Sequence, residues 1–372
     1  MKPGVALAMI VKNDAQRLRR CLKSVKDLVS DLVIVDTGST DATCEVAREF
    51  GARLFEREWP DDFSQALNWA LEKIGHEWTL RLDSDEWLLP DQVDGIRPLL
   101  SRTDLLGVRF IRENYQADGR YTESSLLRLW RTDARLRFHG IVHERIPLEL
   151  LKEVAAGRDI LESGIRIGHD GYLAGTLPNK HRRNLLLVEK ELATNPNDLY
   201  YIAERVRILY LLYDPQADRA ANALIQELEK HQHENMAPSA ILSGPLAIYL
   251  DRTPDAALNS RQVDLAIRLT RGWFADEPAA TYAAAKTLIR RKELRNALDA
   301  LLDLERMSET GQYIRTGFAH PAMLQEALWQ NLALVAHQLG RANIAARNYE
   351  RLLRQNPDHP VAKQNLPLLL KK

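Results

Sequence analysis

The 372-residue sequence predicts a two-part chain, a doubly wound, mostly parallel α/β domain followed by an all-α domain of helical repeats. Three observations predict it. Apolar strand-like runs and amphipathic helical patterns alternate through the first ninety or so residues, as in βαβ units with right-handed crossovers. Strand patterns end near Pro178. Close to the carboxyl end, Trp329, Leu332, Ala333, Gly340, Ala345, Tyr349 and Pro357 fall on a 34-residue helix-pair register that starts at Glu326. The domains expected are therefore 1–178 and 179–372.

Val5 to Val11 is continuously apolar, as a strand covered on both faces must be. Leu18, Leu22, Val25 and Val29 recur at helical steps and give one buried stripe. Leu32 to Val35 forms a second strand and runs into D-T-G-S-T-D, Asp36 to Asp41. Gly38 allows a tight turn there, and Ser39 or Thr40 is placed to cap the next helix. Arg53 to Glu56 is a third strand, and Asp62 is placed to cap a helix from Phe63 to Ile74. The fourth strand, Trp78 to Trp87, reads W-T-L-R-L-D-S-D-E-W and delivers Asp83 and Asp85 to its carboxyl end. From Leu105 to Ile146 three strand-like stretches, the last R-F-H-G-I-V-H-E-R-I, extend the sheet in antiparallel fashion and bring His139, His143 and Glu144 towards the acids. A further polar cluster, His169-Asp170-Gly171-Tyr172, follows. Lys180 to Thr194 and Tyr200 to Tyr213 begin the helical part, in which Thr281 to Arg306 and Leu199 to His231 are looser copies of the tetratricopeptide-like register. Stacked repeats leave a surface suited to peptides or partner proteins.

Lys plus Arg and Asp plus Glu are balanced at 51 each, which argues against nucleic acid as a partner. Cys21 and Cys44 have no metal-ligand spacing and fit a reducing cytoplasm. The amino-terminal residues read as a strand rather than a signal peptide, and no apolar run approaches the roughly 20 residues of a membrane helix.

In a doubly wound sheet ligands bind outside the carboxyl ends of the strands. Lys12 to Asp14, Asp36 to Asp41 and Asp83 to Glu86 all lie at such ends and share one rim. Two adjacent carboxylates repel, so a site that keeps both ionised supplies a cation, Mg2+ or Mn2+ where the ligands are oxygens and phosphate. With no G-x-G-x-x-G after the first strand and no P-loop, Asp36 rather than a glycine loop must read a nucleoside. The same lack of a phosphate-cradling loop argues against an enzyme that makes or transfers nucleotides.

Read together, A-M-I-V-K-N-D (Ala8 to Asp14), I-V-D-T-G-S-T-D (Ile34 to Asp41), D-D-F-S-Q-A-L-N (Asp61 to Asn68), L-D-S-D-E (Leu82 to Glu86) and G-I-V-H-E (Gly140 to Glu144) resemble family 2 glycosyltransferases of the A-type nucleotide-sugar fold. The similarity is to the branch with tetratricopeptide-like carboxyl-terminal repeats, which includes peptide and surface-polysaccharide glycosyltransferases. The resemblance implies inverting transfer of a sugar from a nucleoside diphosphate donor, UDP favoured, to a peptide, glycan or small-molecule acceptor. It implies that Val11, Asn13, Asp14, Asp36, Gly38, Asn68 and Asp83 bind the donor, and that Asp85 and His143 hold Mn2+ or Mg2+. Glu144 or Glu86 is then the catalytic base, Glu144 favoured. One position departs from the pattern. Leu67 stands where the family usually carries a basic residue, which leaves Arg81, Arg128 or Lys180 to hold the diphosphate, or else a catalytically impaired scaffold that binds a protein partner through its repeats.

Overall fold

The computed structural model describes residues 2–171, 177–233 and 239–370; Tyr172 lies outside the described residues. The chain divides into two compact units, Met1–Glu191 and Leu192–Lys372.

In the first unit the order is β1 (Lys2–Val11), α1 (Ala15–Val25), β2 (Asp31–Asp36), α2 (Thr43–Glu49), β3 (Arg53–Glu56), α3 (Phe63–Leu71), β4 (His76–Arg81), β5 (Glu86–Leu88), α4 (Gln92–Ile96), β6 (Leu105–Tyr115), β7 (Tyr121–Arg131), α5 (Leu148–Ala155) and β8 (Asp159–His169), and α6 (Leu177–Thr194) follows. The eight strands form one sheet in the order β3-β2-β1-β4-β7-β6-β8-β5. The left part is parallel, with β1 between β2 and β4. Strand order therefore reverses at β1, and the carboxyl ends of β1, β2 and β4 surround the switch point where such sheets bind ligands.

Two cores lie against this sheet. One joins Leu7, Met9, Leu18, Leu22, Ile34, Trp78 and Phe110, so the α1 stripe is buried as its spacing requires. The other joins Ala8, Val33, Val35, Leu67, Leu71, Trp130 and Phe138. β1 contributes Leu7 and Met9 to one core and Ala8 to the other, the alternation of a strand covered on both faces.

Three expectations are corrected. The stretch from Trp78 to Trp87 is two strands: β4 stops at Arg81, and Glu86 opens the short β5, which pairs with β8. Residues 137–146 form a loop rather than a third added strand, with one bridge between His139 and Arg145. Gly140 (φ 100°) and His143 (φ 56°) turn its backbone into the left-handed region, which a ladder cannot follow. Finally, α2 starts at Thr43 without a side-chain cap from Ser39 or Thr40, because both are bonded elsewhere.

The second unit is helical: α7 (Leu199–Leu211), α8 (Ala217–His233), α9 (Ser243–Arg252), α10 (Arg261–Trp273), α11 (Pro278–Arg290), α12 (Leu294–Thr310), α13 (Glu326–Gln338), α14 (Ala342–Gln355) and α15 (Pro360–Leu370). The register from Glu326 is the pair α13 and α14. Leu332, Ala333, Ala345 and Tyr349 are fully buried between the helices, and Gly340 (φ 69°) makes the turn that a Cβ would strain. The looser copies correspond to α11 with α12 and α7 with α8.

Candidate functional site

Val11 and Asp36 are register partners at the ends of β1 and β2, so the turns that follow them emerge side by side. Asp36 Oδ1 accepts the N–H groups of Gly38 (2.9 Å) and Ser39 (2.8 Å), and its Oδ2 accepts the Ser39 hydroxyl. Gly38 at φ 100° permits this close turn. The β1 turn is stitched to it: Asn13 N–H donates to Ser39 Oγ, Asn13 Oδ1 accepts Thr40 N–H (2.7 Å), and Asp14 N–H donates to Thr43 Oγ1 (2.8 Å). Asp36, only 2 % exposed, is thus oriented before any ligand arrives. Nearby, burial first and then the Asp36 charge push the Cys44 thiol up to about 11.

The acid turn after β4 is joined to the same rim by the Ser84 hydroxyl, which donates to Asp14 Oδ2. Burial raises the pKa of Asp14, with the Asp85 and Asp170 charges adding to it and Ser84 and Arg17 opposing it. Glu86 does not face the rim. It is fully buried, accepts the Asp83 N–H, and is clamped by Arg128 (2.5 Å) and Arg112 (3.2 Å). Burial opposes its ionisation, but Arg128, Arg112 and Arg81 prevail and hold its pKa down at about 2. Such a carboxylate organises the turn and is too weak a base to take an acceptor proton.

Arg81, the last residue of β4, is buried between Asp83 Oδ2 (2.9 Å) and Glu144 Oε1 (2.5 Å). It therefore ties the 137–146 loop to the acid turn. The α3 helix holds the same loop: Phe63 N–H donates to the Ile141 carbonyl, and the Ser64 hydroxyl to the Gly140 carbonyl (2.6 Å). Asn68 bonds both polar groups of Phe138, through Nδ2 to the carbonyl and Oδ1 from the N–H, each at 2.9 Å. Asn68 thus braces the loop instead of facing the turns of β1 and β2. Leu67 is 1 % exposed and packs with Val33, Val35 and Trp130. In this chain that position belongs to the core.

The imidazole beside Asp85 is that of His169, at the end of β8, with Nε2 3.4 Å from Asp85 Oδ2. Its Nδ1 lies 3.0 Å from Asn114 Oδ1, and the Asn114 amide nitrogen donates to the Thr122 carbonyl, so Nδ1–H donates to Asn114 and Nε2 is directed at Asp85. Burial works against the Asp85 charge, yet its contact with His169 lowers the carboxyl pKa. The turn is fastened by Asp170, whose N–H donates to the Asp85 carbonyl and whose carboxylate pairs with Arg17 (3.1 Å) and Arg20 (2.8 Å) of α1. At Gly171 an added Cβ would lie 2.5 Å from His169 Nε2 and 2.6 Å from Asp85 Oδ2. Only a glycine leaves that space open. Among the described residues no three His, Cys, Asp or Glu side chains are grouped to hold a metal ion, so His143 does not complete a cage with Asp85 and His169.

Along the chain His169 reads as a structural histidine of a polar cluster, and Asn114 carries no signal at all. The pairing of β6 with β8, which sets Asn114 opposite His169, is a long-range contact with no local sequence signal.

Residues 7–148 match the model of glycosyl transferase family 2. This stretch is a family 2 glycosyltransferase domain. A tetratricopeptide repeat-containing protein of Synechococcus elongatus is 42 % identical over 147 residues, which are 40 % of this chain and 36 % of that protein. The glycosyltransferase SunS of the SPbeta prophage of Bacillus subtilis is 26 % identical over 217 residues, 56 % of this chain and 50 % of that protein. The chain thus spans between about a third and a half of the length of these curated relatives. Among solved structures, glucosyl-3-phosphoglycerate synthase from Mycobacterium tuberculosis with phosphoglyceric acid aligns with 51 % of this chain and 79 % of its own, at 16 % identity and a TM-score of 0.38. The same synthase with Mn2+ and uridine-diphosphate-glucose aligns with 29 % of this chain and 43 % of its own, at 22 % identity and a TM-score of 0.26. The turns after β1, β2 and β4 and the 137–146 loop lie within the stretch that matches this family, whereas His169 to Gly171 lie beyond it.

Proposed function

We propose that the chain is an inverting glycosyltransferase that uses a UDP-sugar and a divalent cation, Mn2+ or Mg2+, and acts in a reducing cytoplasm on a peptide, glycan or small-molecule acceptor. The observation that carries this reading is the convergence on one rim of the pre-oriented Asp36 turn with Asp85, His169 and the space kept open by Gly171. Val11, Asn13, Asp14, Asp36 and Gly38 line the nucleoside side, and Asp83 faces the ribose.

The donor set fits a divalent cation. Asp85 Oδ2 and His169 Nε2, 3.4 Å apart, would hold it from the protein side. An imidazole beside a carboxylate suits Mn2+ better than Mg2+. When bound, the cation neutralises charge on the departing diphosphate. Asn114 orients the His169 ring so that Nε2 would face the cation, and Asp170 holds the turn in place. Glu144, positioned by Arg81 on the loop that α3 supports, takes the acceptor proton. The helical repeats present the acceptor or a protein partner. No described helix is long and apolar enough to cross a membrane, and Cys21 and Cys44 are unpaired.

The alternative is a catalytically impaired scaffold that binds a protein partner through its repeats; it starts from Leu67, a core side chain where the family usually carries a basic residue. A thermal-shift screen of UDP- and GDP-sugars with and without Mn2+ tests the proposal. A UDP-sugar with Mn2+ is expected to raise the Tm, and Asp85→Ala to abolish the metal-dependent part. Absence of stabilisation by every nucleotide tried would refute it.

A further inference from the structure

A diphosphate laid on this rim meets an acidic surface. Asp14, Asp83, Asp85 and Asp170 all border it; Arg81 answers Asp83 and Arg20 answers Asp170, so Asp14, Asp85 and the phosphates together outweigh one divalent cation. Of the three cations expected from the sequence, Arg81 is buried between Asp83 and Glu144 and Arg128 is buried on Glu86, whereas Lys180 is exposed and its charge reaches Asp85. Arg20 pairs with Asp170 and lies 3.7 Å above the Trp87 ring.

Arg17, in the first turn of α1, is placed differently. Its Nε is anchored on Asp170 Oδ1 at 3.1 Å, while Nη1 stands 3.6 Å from Asp14 Oδ1, beyond hydrogen-bond distance. Among the described residues neither terminal nitrogen makes a hydrogen bond, and the side chain is 30 % exposed. The guanidinium fork thus opens to solvent between Asp14, on the nucleoside side, and the Asp85–Asp170 turn on the metal side. A diphosphate joining those two sides must pass it, and a planar fork suits two phosphate oxygens. We infer that Arg17 is the diphosphate-binding cation of this chain, the contact that distinguishes a nucleoside diphosphate from a nucleoside. The inference rests on the donor reading above.

The test compares UDP and uridine binding to the full chain by calorimetry, with Mn2+ present, in wild type, Arg17→Gln, Arg17→Lys and Arg19→Gln. Arg19 lies on the same helix and pairs with Glu49 in solvent, so it serves as the control. Arg17→Gln is expected to weaken UDP at least tenfold and leave uridine unchanged, with Arg17→Lys recovering part of the loss and Arg19→Gln behaving as wild type. Unchanged UDP affinity in Arg17→Gln overturns the inference, as does an equal loss for uridine, which would make Arg17 only a brace between the turns. A diphosphate-specific loss confined to Lys180→Gln, tested alongside, would assign the role to α6 instead. Wild type that binds neither ligand refutes the donor reading itself, an outcome distinct from all of these.

Discussion

Gly171→Ala is the most informative single substitution in the proposed cation site. The backbone at Gly171 is not in the left-handed region, so alanine meets no torsional penalty and the effect is purely one of space. The new methyl would stand 2.5 Å from His169 Nε2 and 2.6 Å from Asp85 Oδ2, whereas ordinary contact begins at 3.4 Å. The two groups must therefore retreat by about 0.9 and 0.8 Å, the differences between those values. Neither moves freely, since His169 is held by Asn114 and the Asp85 backbone by Asp170. Disturbing the support of a metal ligand typically costs ten- to a hundredfold in affinity, about 1.4 to 2.7 kcal/mol. Overpacking costs a further 1 to 3 kcal/mol or so of fold stability. Titration of Mn2+ against the UDP-saturated protein, followed by loss of the free-ion paramagnetic resonance signal, reads the first quantity directly. UDP affinity without metal reports whether the rest of the rim survives. A folded Gly171→Ala protein with wild-type Mn2+ affinity would refute the assignment of the ion to Asp85 and His169.

Three further outcomes are expected. Asp62 caps α3 by accepting the Gln65 N–H at 2.9 Å, so Asp62→Ala should cost about 1 kcal/mol in urea unfolding and loosen the loop that α3 holds. Leu332→Ala, in the fully buried seam of α13 and α14, should cost roughly 2 to 5 kcal/mol, and a loss below 1 kcal/mol would contradict the packing of that pair. Glu86 has a folded pKa of about 2 against an ordinary 4.5, so its stabilising contribution is present above pH 4.5 and lost as the pH falls towards 2. That contribution is on the order of 3 kcal/mol, and it should appear as a decline in unfolding free energy across that window that Glu86→Gln flattens.

Much of the molecule is legible along the chain because its signals are local. The buried runs of β1 and β2, the Asp62 cap and the α1 stripe each depend on residues within a few positions of one another, where periodicity and capping operate. The α13 and α14 repeat is legible for the same reason. The rim was legible too, since parallel strands separated by helices must bring their carboxyl ends to one edge. Where that logic misled, local pattern met a tertiary competitor. The 137–146 segment alternates like a strand, but α3 claims its carbonyls through Phe63 and Ser64 and claims Phe138 through Asn68. Glu86 reads like a neighbour of Asp85, but β5 turns it inward onto Arg112 and Arg128, which come from β6 and β7.

The order of elements, the existence of the acid turn and the helical-repeat register follow from the chain alone, because each is encoded within one or two turns or strands. Which acid faces an arginine and which imidazole stands beside Asp85 were decided only when β8 paired with β5 and β6 and carried His169 across the sheet edge. Charge interactions act through space over a few ångströms, and residues 84 positions apart in sequence, such as Asp85 and His169, become neighbours only in the folded sheet.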